Sequence, residues 1–283
     1  MASGLGAASI WGGMFVVSKA TLEVIPPFVL ISMRLVLGAG TLGIVLALRG
    51  WRPVRRHDVL RTLAVGLVGY GISLGFQFVG TRYSTAANAA LVTSATPAFI
   101  LVFAALLLRE GISMWNMIAL LVSTAGVLAI VDPFGAQPGS PLLWGNLSLV
   151  AAALTWALYS VLVRKVTRSL DALSFTSIAL LGGIPLALPL GMWELAHEGT
   201  GVITGGVIAG VLFLGIVSTA VAMYLWTTAF AQMKASQASL TFFAQPLVGT
   251  ALGVLFLGEV LSPMFFVGAV LIGIGLVLAS RSN

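Results

Sequence analysis

One stretch in the first half of the chain recurs in the second half at a constant offset of 149 residues. The paired positions, identical or chemically similar, are Ala86 and Ala235, Asn88 and Gln237, Ala89 and Ala238, Leu91 and Leu240, Pro97 and Pro246, Leu108 and Leu257, Glu110 and Glu259, Ser113 and Ser262, and Gly126 and Gly275. The repeat divides the chain into two units, residues 1–135 and 142–283, which we expect to fold as copies of one structure.

The hydropathy of the chain places both units in a membrane. Hydrophobic residues make up 59% of the 283 residues and charged residues 8%, whereas soluble domains are about one quarter charged. Apolar runs of about 17 to 25 residues can each cross a bilayer as a helix. We expect ten such spans, near residues 4–22, 26–48, 62–81, 84–108, 114–131, 143–163, 171–193, 202–230, 235–257 and 263–280.

The predicted fold is therefore an all-α polytopic membrane protein with five transmembrane helices in each unit. An odd number of spans reverses orientation, so the two units must cross the bilayer in opposite directions. Inverted repeats of this kind recur among secondary transporters, whose substrate site lies between the halves near the midplane. The sequence predicts a transporter that works by alternating access.

The basic residues lie mainly on alternate loops. With the N-terminus inside, eleven of them are cytoplasmic: Arg49, Arg52, Arg55, Arg56, Arg61, Arg109, Arg164, Lys165, Arg168, Lys234 and Arg281. Only Lys19 and Arg82 are then external, and Arg34 lies within a span. By the positive-inside rule, both termini are expected to be cytoplasmic. The net charge of +6 thus indicates membrane orientation, and no nucleic-acid partner is expected.

Short motifs in both units carry a resemblance to a known family. They are Trp11-Gly12-Gly13-Met14-Phe15, Pro26-Pro27, Arg34-Leu35, and the proline and glutamate pairs Pro97 with Glu110 and Pro246 with Glu259. The ordered set resembles the EamA family of the drug/metabolite transporter superfamily, and within it the bacterial aromatic amino acid exporters of the YddG type. The resemblance implies a ten-helix exporter of small metabolites in a bacterial inner membrane. The family commonly follows its glutamate with a basic residue, whereas Gly111 and Val260 stand there.

Catalytic and ion-coupling groups are scarce within the spans. The chain has no cysteine, both histidines fall in loops, and the eight carboxylates lie in loops or at span ends. We therefore expect no enzymatic activity, cofactor or metal site. Proton-driven carriers usually keep a carboxylate or histidine inside the membrane, so facilitated export is predicted. Gly pairs at helical spacing favour tight packing within a monomer over a dimer seam.

Polar and aromatic side chains near span centres are the candidates for binding a substrate. The predicted substrate-binding residues are Trp156, Tyr159, Tyr70, Gln77, Asn88 and Gln245; further aromatic candidates are Trp11, Phe15, Tyr224, Trp226, Phe242 and Phe243. Gln237, Thr241 and Gln245 share one helical face, which could line a cavity or join two helices. Aromatic amino acids are the first expected substrates. The alternatives are lipophilic cations or drugs and, in a different class, a channel or lipid scramblase.

Four further residues have two interpretations each. Arg34 could bind a substrate carboxylate or clamp helix-end carbonyls, and the second interpretation is favoured. Lys19, nearer a membrane surface, is expected to extend toward that surface, with a substrate role as the alternative. Pro97 and Pro246 each remove a backbone donor, and they are candidate hinges unless neighbouring helices merely accommodate them.

Overall fold

The computed structural model describes residues 1–50, 54–109, 111, 114–131, 139–167, 170–233, 235, 238 and 240–280. Their main helical segments are α1 (Ala2–Leu22), α2 (Pro27–Arg49), α3 (Arg56–Tyr83), α4 (Ala86–Leu108), α5 (Met114–Val131), α6 (Pro141–Val166), α7 (Ala172–His197), α8 (Gly205–Gln232), α9 (Ala244–Leu257) and α10 (Pro263–Ser280). The residues named above that lie outside the described part are Arg52, Glu110, Ser113, Arg168, Lys234, Gln237 and Arg281. All regular structure in the described residues is helical, which confirms the all-α class.

Seven of these helices, α1 to α4 and α6 to α8, are long and apolar enough to cross a bilayer. The apolar parts of α5, α9 and α10 are shorter. The prediction of a polytopic membrane protein is confirmed. Two boundaries differ most from the predicted spans: α3 begins at Arg56, before its apolar run, and α9 begins as an α-helix only at Ala244, after a 3₁₀ segment over Leu240–Phe243.

The helices pack in pairs that correspond between the two units. Two of the large contacts, those of α5 with α10 and of α2 with α7, each pair a helix with its counterpart five helices later. The contact of α1 with α9 is matched by that of α6 with α4, and the contact of α3 with α7 by that of α8 with α2. Between α5 and α10, Gly126 and Gly275 bring the backbones together, since a Cβ on Gly126 would lie 2.8 Å from Ile272 Cγ1.

Non-α geometry recurs at corresponding places. Residues Leu67–Ser73 of α3 and Phe213–Val221 of α8 are π-helical, and such insertions are common at functional sites. Helix α4 is interrupted after Thr93 and resumes at Thr96, just as the 3₁₀ segment precedes α9.

The interruptions in α4 and before α9 have a local cause in the two prolines. Each proline follows its interruption closely: Pro97 lies in the first turn after the break in α4, and Pro246 is the third residue of α9. Because Pro97 has no N–H, the Thr93 carbonyl loses its helical donor, and the Thr96 hydroxyl donates to that carbonyl at 2.6 Å. Both predicted hinge residues thus lie where their helices depart from α geometry.

Candidate functional site

A small cavity lies at the centre of the helix bundle, between the two units of the sequence. Its free volume is about 20 Å³, enough for about one water molecule. Side chains from α1, α3, α4, α6, α8, α9 and the 3₁₀ segment line it: Trp11, Met14, Phe15, Leu74, Gln77, Thr93, Thr96, Ala152, Ala153, Trp156, Met223, Phe242 and Gln245. A ligand there would meet aromatic surface together with amide and hydroxyl groups.

Buried aromatic rings form a connected cluster around this cavity. The ring centroid of Trp11 lies 5.5 Å from that of Trp156 and 5.3 Å from that of Trp226. Trp156 in turn lies 4.6 Å from Tyr159, whose ring is 5.1 Å from Tyr70. The structure therefore brings together three of the predicted site residues. Trp156 lines the cavity, whereas Tyr159 and Tyr70 are not among its lining residues and support Trp156 from behind.

The polar atoms of these rings differ in how they are satisfied. The Trp11 indole Nε1 donates to the Ser218 carbonyl in the π-helical segment at 3.1 Å. The hydroxyls of Tyr70 and Tyr159 are hydrogen-bonded to each other at 2.5 Å. The indole Nε1 of Trp156 is buried and has no hydrogen-bond partner within the described residues. A buried donor without an acceptor is costly, so a ligand acceptor near Trp156 would be stabilised.

Two of the predicted amides reach the cavity. Gln245 of α9 donates from Nε2 to the Thr93 hydroxyl at 2.8 Å and to the Ala90 carbonyl at 3.3 Å, which joins α9 to α4. Gln77 of α3 directs its Nε2 at the Met14 sulfur, 3.9 Å away. Gln245 thus combines the two roles considered for its helical face: it joins two helices and it lines the cavity.

The third predicted amide, Asn88, lies elsewhere. It is half-buried in the first turn of α4, where its backbone N–H donates to the Thr85 hydroxyl at 3.0 Å, and it is not among the cavity-lining residues. Thr241, on the predicted face of Gln245, donates its hydroxyl to the Ala238 carbonyl at 2.7 Å. The sequence predicted the helix of Asn88 but not the depth of its side chain in the bundle, and Thr241 lies in the 3₁₀ segment before α9, not in a continuous helix with Gln245.

Arg34 is fully buried beside the cavity and contacts neutral groups. Its Nε donates to the Thr219 hydroxyl at 2.8 Å and its Nη2 to the Ser218 hydroxyl at 3.3 Å, both on the π-helical segment of α8. Its Nη1 points at the Met14 sulfur at 3.6 Å, and its Cζ lies 4.9 Å from the centre of the Phe78 ring. The favoured sequence interpretation, a clamp on helix-end carbonyls, does not match these partners.

Lys19 makes the contacts that were expected of Arg34. Its Nζ donates to the carbonyls of Thr81 at 3.2 Å, Arg82 at 2.9 Å and Ser84 at 2.5 Å, where α3 ends. These carbonyls carry the negative end of the helix dipole, so a cation stabilises them. Lys19 therefore joins α1 to the end of α3 and lies away from the cavity.

Two carboxylates bind helix N-termini at the same end of the bundle as Lys19. Glu259, after α9, accepts hydrogen bonds from the backbone N–H groups of Ala86 at 2.6 Å and Ala87 at 2.8 Å, where α4 begins. Glu194 of α7 accepts one from Phe28 at 2.6 Å, where α2 begins. Both carboxylates oppose the positive end of a helix dipole. The sequence singled out Glu259 in a family motif but gave no signal for the role of Glu194.

Comparison with known proteins identifies the family. The model of the EamA-like transporter family matches residues 1–132 and again residues 143–281. The chain belongs to the EamA-like transporter family. It is 28% identical to the uncharacterized transporter YetK of Bacillus subtilis, over 93% of this chain and 81% of that protein. It is 26% identical to a probable amino-acid metabolite efflux pump of Salmonella typhimurium, over 94% of this chain and 90% of that protein.

A solved crystal structure shares the fold of this EamA-like chain. The two superpose with a TM-score of 0.74 over 99% of this chain and 98% of the other, at 22% sequence identity. The resemblance predicted from the short motifs is confirmed, and the protein is a multi-pass membrane transporter.

Proposed function

We propose that this EamA-like transporter exports small amphipathic metabolites, foremost aromatic and other apolar amino acids, by facilitated alternating access. In this proposal ten helices cross a bacterial inner membrane as two inverted five-helix repeats, residues 1–135 and 142–283, with both termini in the cytoplasm. The functional unit is a monomer surrounded by lipid. Its partners are a small-molecule substrate and membrane lipids.

The observation that carries the proposal is the small central cavity, which side chains of both repeats line together. Trp11 and Gln77 come from the first repeat, and Trp156 and Gln245 come from the second. An aromatic amino acid needs far more room than the present free volume of about 20 Å³, so the halves must separate to admit it. A site that forms and closes between two repeats is what alternating access requires.

Three observations support the arrangement as two repeats. The family model matches each half of the chain separately. The principal helix contacts correspond when each helix is exchanged with its counterpart five helices away. The helix interruptions near Pro97 and Pro246 also recur at the offset seen in the sequence. Five spans in each repeat then make the two copies antiparallel in the membrane.

The lining of the cavity supports the choice of substrate. Indole rings offer flat apolar surface for an aromatic or branched side chain, and the amides of Gln77 and Gln245 can replace water around polar groups that enter the cavity. The relative from Salmonella typhimurium, named as a probable amino-acid metabolite efflux pump, agrees with this choice. A lipophilic cation fits less well, because the buried guanidinium of Arg34 lies one side chain away and repels positive charge.

The decisive experiment is a counterflow assay with the purified protein in liposomes. Vesicles preloaded with unlabelled phenylalanine should accumulate labelled phenylalanine, tryptophan and leucine to a saturable level. Uptake that is linear with concentration and indifferent to the preloaded substrate would instead indicate a channel, and exchange of fluorescent lipid between leaflets would indicate a scramblase. Absence of uptake for every amino acid would refute the proposed substrate class.

Orientation is tested separately, in a chain that contains no cysteine. A single cysteine at Arg55 should react with a membrane-impermeant maleimide only after cells are permeabilised. A cysteine at His197, in the loop after α7, should react in intact cells. The opposite pattern would reverse the proposed topology.

A further inference from the structure

Three hydrogen-bond donors in or directly behind the cavity wall lack a good acceptor. Arg34 Nη1 and Gln77 Nε2 are directed at a thioether sulfur, and Trp156 Nε1 has no partner within the described residues. These donors come from α2, α3 and α6: Gln77 and Trp156 line the cavity, and Arg34 lies behind Met14, which lines it. A site rich in unsatisfied donors favours a ligand rich in acceptors.

The Met14 sulfur is the point on which two of these donors converge. Arg34 Nη1 lies 3.6 Å from it and Gln77 Nε2 lies 3.9 Å from it. A thioether is a weak acceptor, so neither the guanidinium nor the amide obtains a strong hydrogen bond there. Met14 also lines the cavity, and a methionine side chain changes rotamer readily because it is unbranched. Moving this one side chain would expose Arg34 to the cavity.

The charge of Arg34 points to the kind of acceptor. Its guanidinium is permanently protonated, its relative exposure is 0%, and no carboxylate of the described residues forms an ion pair with it. An unpaired buried charge is unfavourable. The hydroxyls of Thr219 and Ser218 and the ring of Phe78 stabilise the charge only in part. An anionic group would complete the pairing.

The hydroxyl partners also fix the direction in which the guanidinium faces. Thr219 donates its own proton to the Leu214 carbonyl at 2.7 Å, five residues earlier, as the π-helical geometry allows. Its oxygen lone pair therefore faces Arg34 Nε at 2.8 Å. With Nε held by Thr219 and Nη2 by Ser218, Nη1 remains directed at Met14 and the cavity.

We infer that Arg34 is the anchor for the carboxylate of the transported molecule. The carboxylate displaces the Met14 side chain and accepts hydrogen bonds from Arg34 Nη1 and Gln77 Nε2. The side chain of the substrate then lies against the rings of Trp11 and Trp156. This inference rests on the proposed function and sharpens it: the substrate class becomes carboxylates with an apolar side chain, and amines or amides without a carboxylate are poor substrates.

The experiment compares ligands that share a ring and differ at the carboxylate. Phenylalanine, 3-phenylpropionate and phenylalaninamide are tested as competitors of labelled phenylalanine in counterflow. Binding of each is also measured in detergent by the shift of the thermal unfolding transition, which does not require transport. The wild type should bind the two carboxylates about tenfold or more tightly than the amide, since a charge-assisted pair is lost with the amide.

Single substitutions test whether Arg34 causes the preference for carboxylates over the amide. Arg34→Gln should reduce the ratio of acid to amide affinity to about one, and Arg34→Lys should retain part of it because the charge remains. Gln77→Leu should lower the ratio severalfold, and Met14→Ala should raise affinity for phenylalanine by removing the group that the carboxylate displaces. Lys19→Gln is the matched control: it removes a cation whose partners are all backbone carbonyls, and the ratio should not change.

The outcomes separate this inference from the proposed function. If the wild type transports phenylalanine but treats acid and amide alike, the carboxylate anchor is wrong and the exporter proposal stands. A wild-type preference that survives in Arg34→Gln would also overturn the anchor. If Arg34→Gln does not fold, as judged by size-exclusion chromatography, an unchanged ratio in both Gln77→Leu and Met14→Ala would overturn it. If the wild type neither transports nor binds any of the ligands, the proposed function fails as well.

Discussion

The buried or half-buried charged groups discussed above lie in two regions of the bundle, and their charges are stabilised by different kinds of partner. At the end of the bundle where α3 ends, Lys19 is bonded to three carbonyls and Glu259 to two backbone N–H groups. At the centre, Arg34 is fully buried and is held by two hydroxyls and a thioether. The end charges are matched by helix dipoles of the fold itself, whereas the central charge is not matched.

The difference indicates that the charges at the end of the bundle hold helices together, whereas the charge at the centre is available to a ligand. A charge that the fold already satisfies gains nothing from a ligand, so Lys19, Glu194 and Glu259 stabilise contacts between helices. The contacts of the two glutamates cross between the two units of the sequence, since Glu259 follows α9 and binds the start of α4, and Glu194 of α7 binds the start of α2. In the proposed orientation they close the external end, and the opening of that end must break them.

The largest effect is expected when an end charge is removed. Glu259→Ala deletes the acceptor of two N–H groups at the start of α4, which should cost about 2 kcal/mol and lower the unfolding temperature in detergent by about 5 °C. Glu23→Ala, an exposed carboxylate after α1, is the control and should change little. Equal melting temperatures for the two variants would show that Glu259 does not close this end.

At the centre, Gln245→Leu should reduce transport of every substrate by about tenfold. The substitution removes the hydrogen bonds to Thr93 and Ala90 and places an apolar side chain in the cavity, a loss of about 1.4 kcal/mol. Initial counterflow rates for phenylalanine, leucine and threonine measure the effect. Gln232→Leu, at the exposed end of α8, is the control, and a selective loss for one substrate would contradict the expectation.

Trp156→Ala should change selectivity more than overall rate. Tryptophan and phenylalanine lose a stacking surface worth about 1 kcal/mol, which is roughly a fivefold loss in counterflow, whereas threonine should lose less than twofold. Trp156→Phe should keep most of the aromatic preference. Trp144→Ala, an exposed ring at the start of the same helix α6, should behave as the wild type. An unchanged ratio of tryptophan to threonine in Trp156→Ala would remove this residue from the site.

Pro97 and Pro246 lie in α4 and α9, at the interruptions where these helices are predicted to bend. Pro97→Ala or Pro246→Ala restores an N–H that can extend α4 or α9 across its interruption, so bending becomes harder. We expect transport to slow about two- to threefold while substrate affinity is retained, an effect of well under 1 kcal/mol. Pro189→Ala, an exposed proline within α7, is the control. Unchanged rates in both variants would leave the prolines without a role in motion.

The sequence alone predicted the helices, because they follow from apolar runs. Three of the substrate-binding candidates that the sequence indicated, Trp156, Gln77 and Gln245, line the central cavity. Asn88, predicted with them, lies outside the cavity, because helical periodicity gives the face of a side chain but not its depth in the bundle.

The partners of Arg34 could not have been found in this way. Thr219 and Ser218 lie in a π-helical segment, where the spacing of 3.6 residues per turn no longer holds, so their direction does not follow from the pattern. Met14 was part of a family motif, but nothing in the sequence shows that two donors meet at its sulfur. The sequence could not show which of the two cations, Arg34 or Lys19, binds helix-end carbonyls; their hydrogen-bond acceptors in the structure show that it is Lys19.

The smallest effect is expected from a pH gradient across the membrane, which should leave the transport rate unchanged. Every carboxylate and histidine of the described residues lies in a loop or toward a helix end, and Asp171, Glu194 and Glu259 are bound to backbone N–H groups. The centre holds the guanidinium of Arg34, which stays charged and therefore cannot bind and release a proton during a transport cycle. Because no carboxylate or histidine of the described residues lies at the centre of the bundle, the proton gradient has no such group there on which to act. Counterflow of phenylalanine should therefore proceed at the same rate with and without a pH difference of about one unit across the liposome membrane. Strict dependence on that gradient would mean that an end carboxylate such as Glu259 carries a proton, and Glu259→Gln, which cannot ionise, would then abolish the dependence.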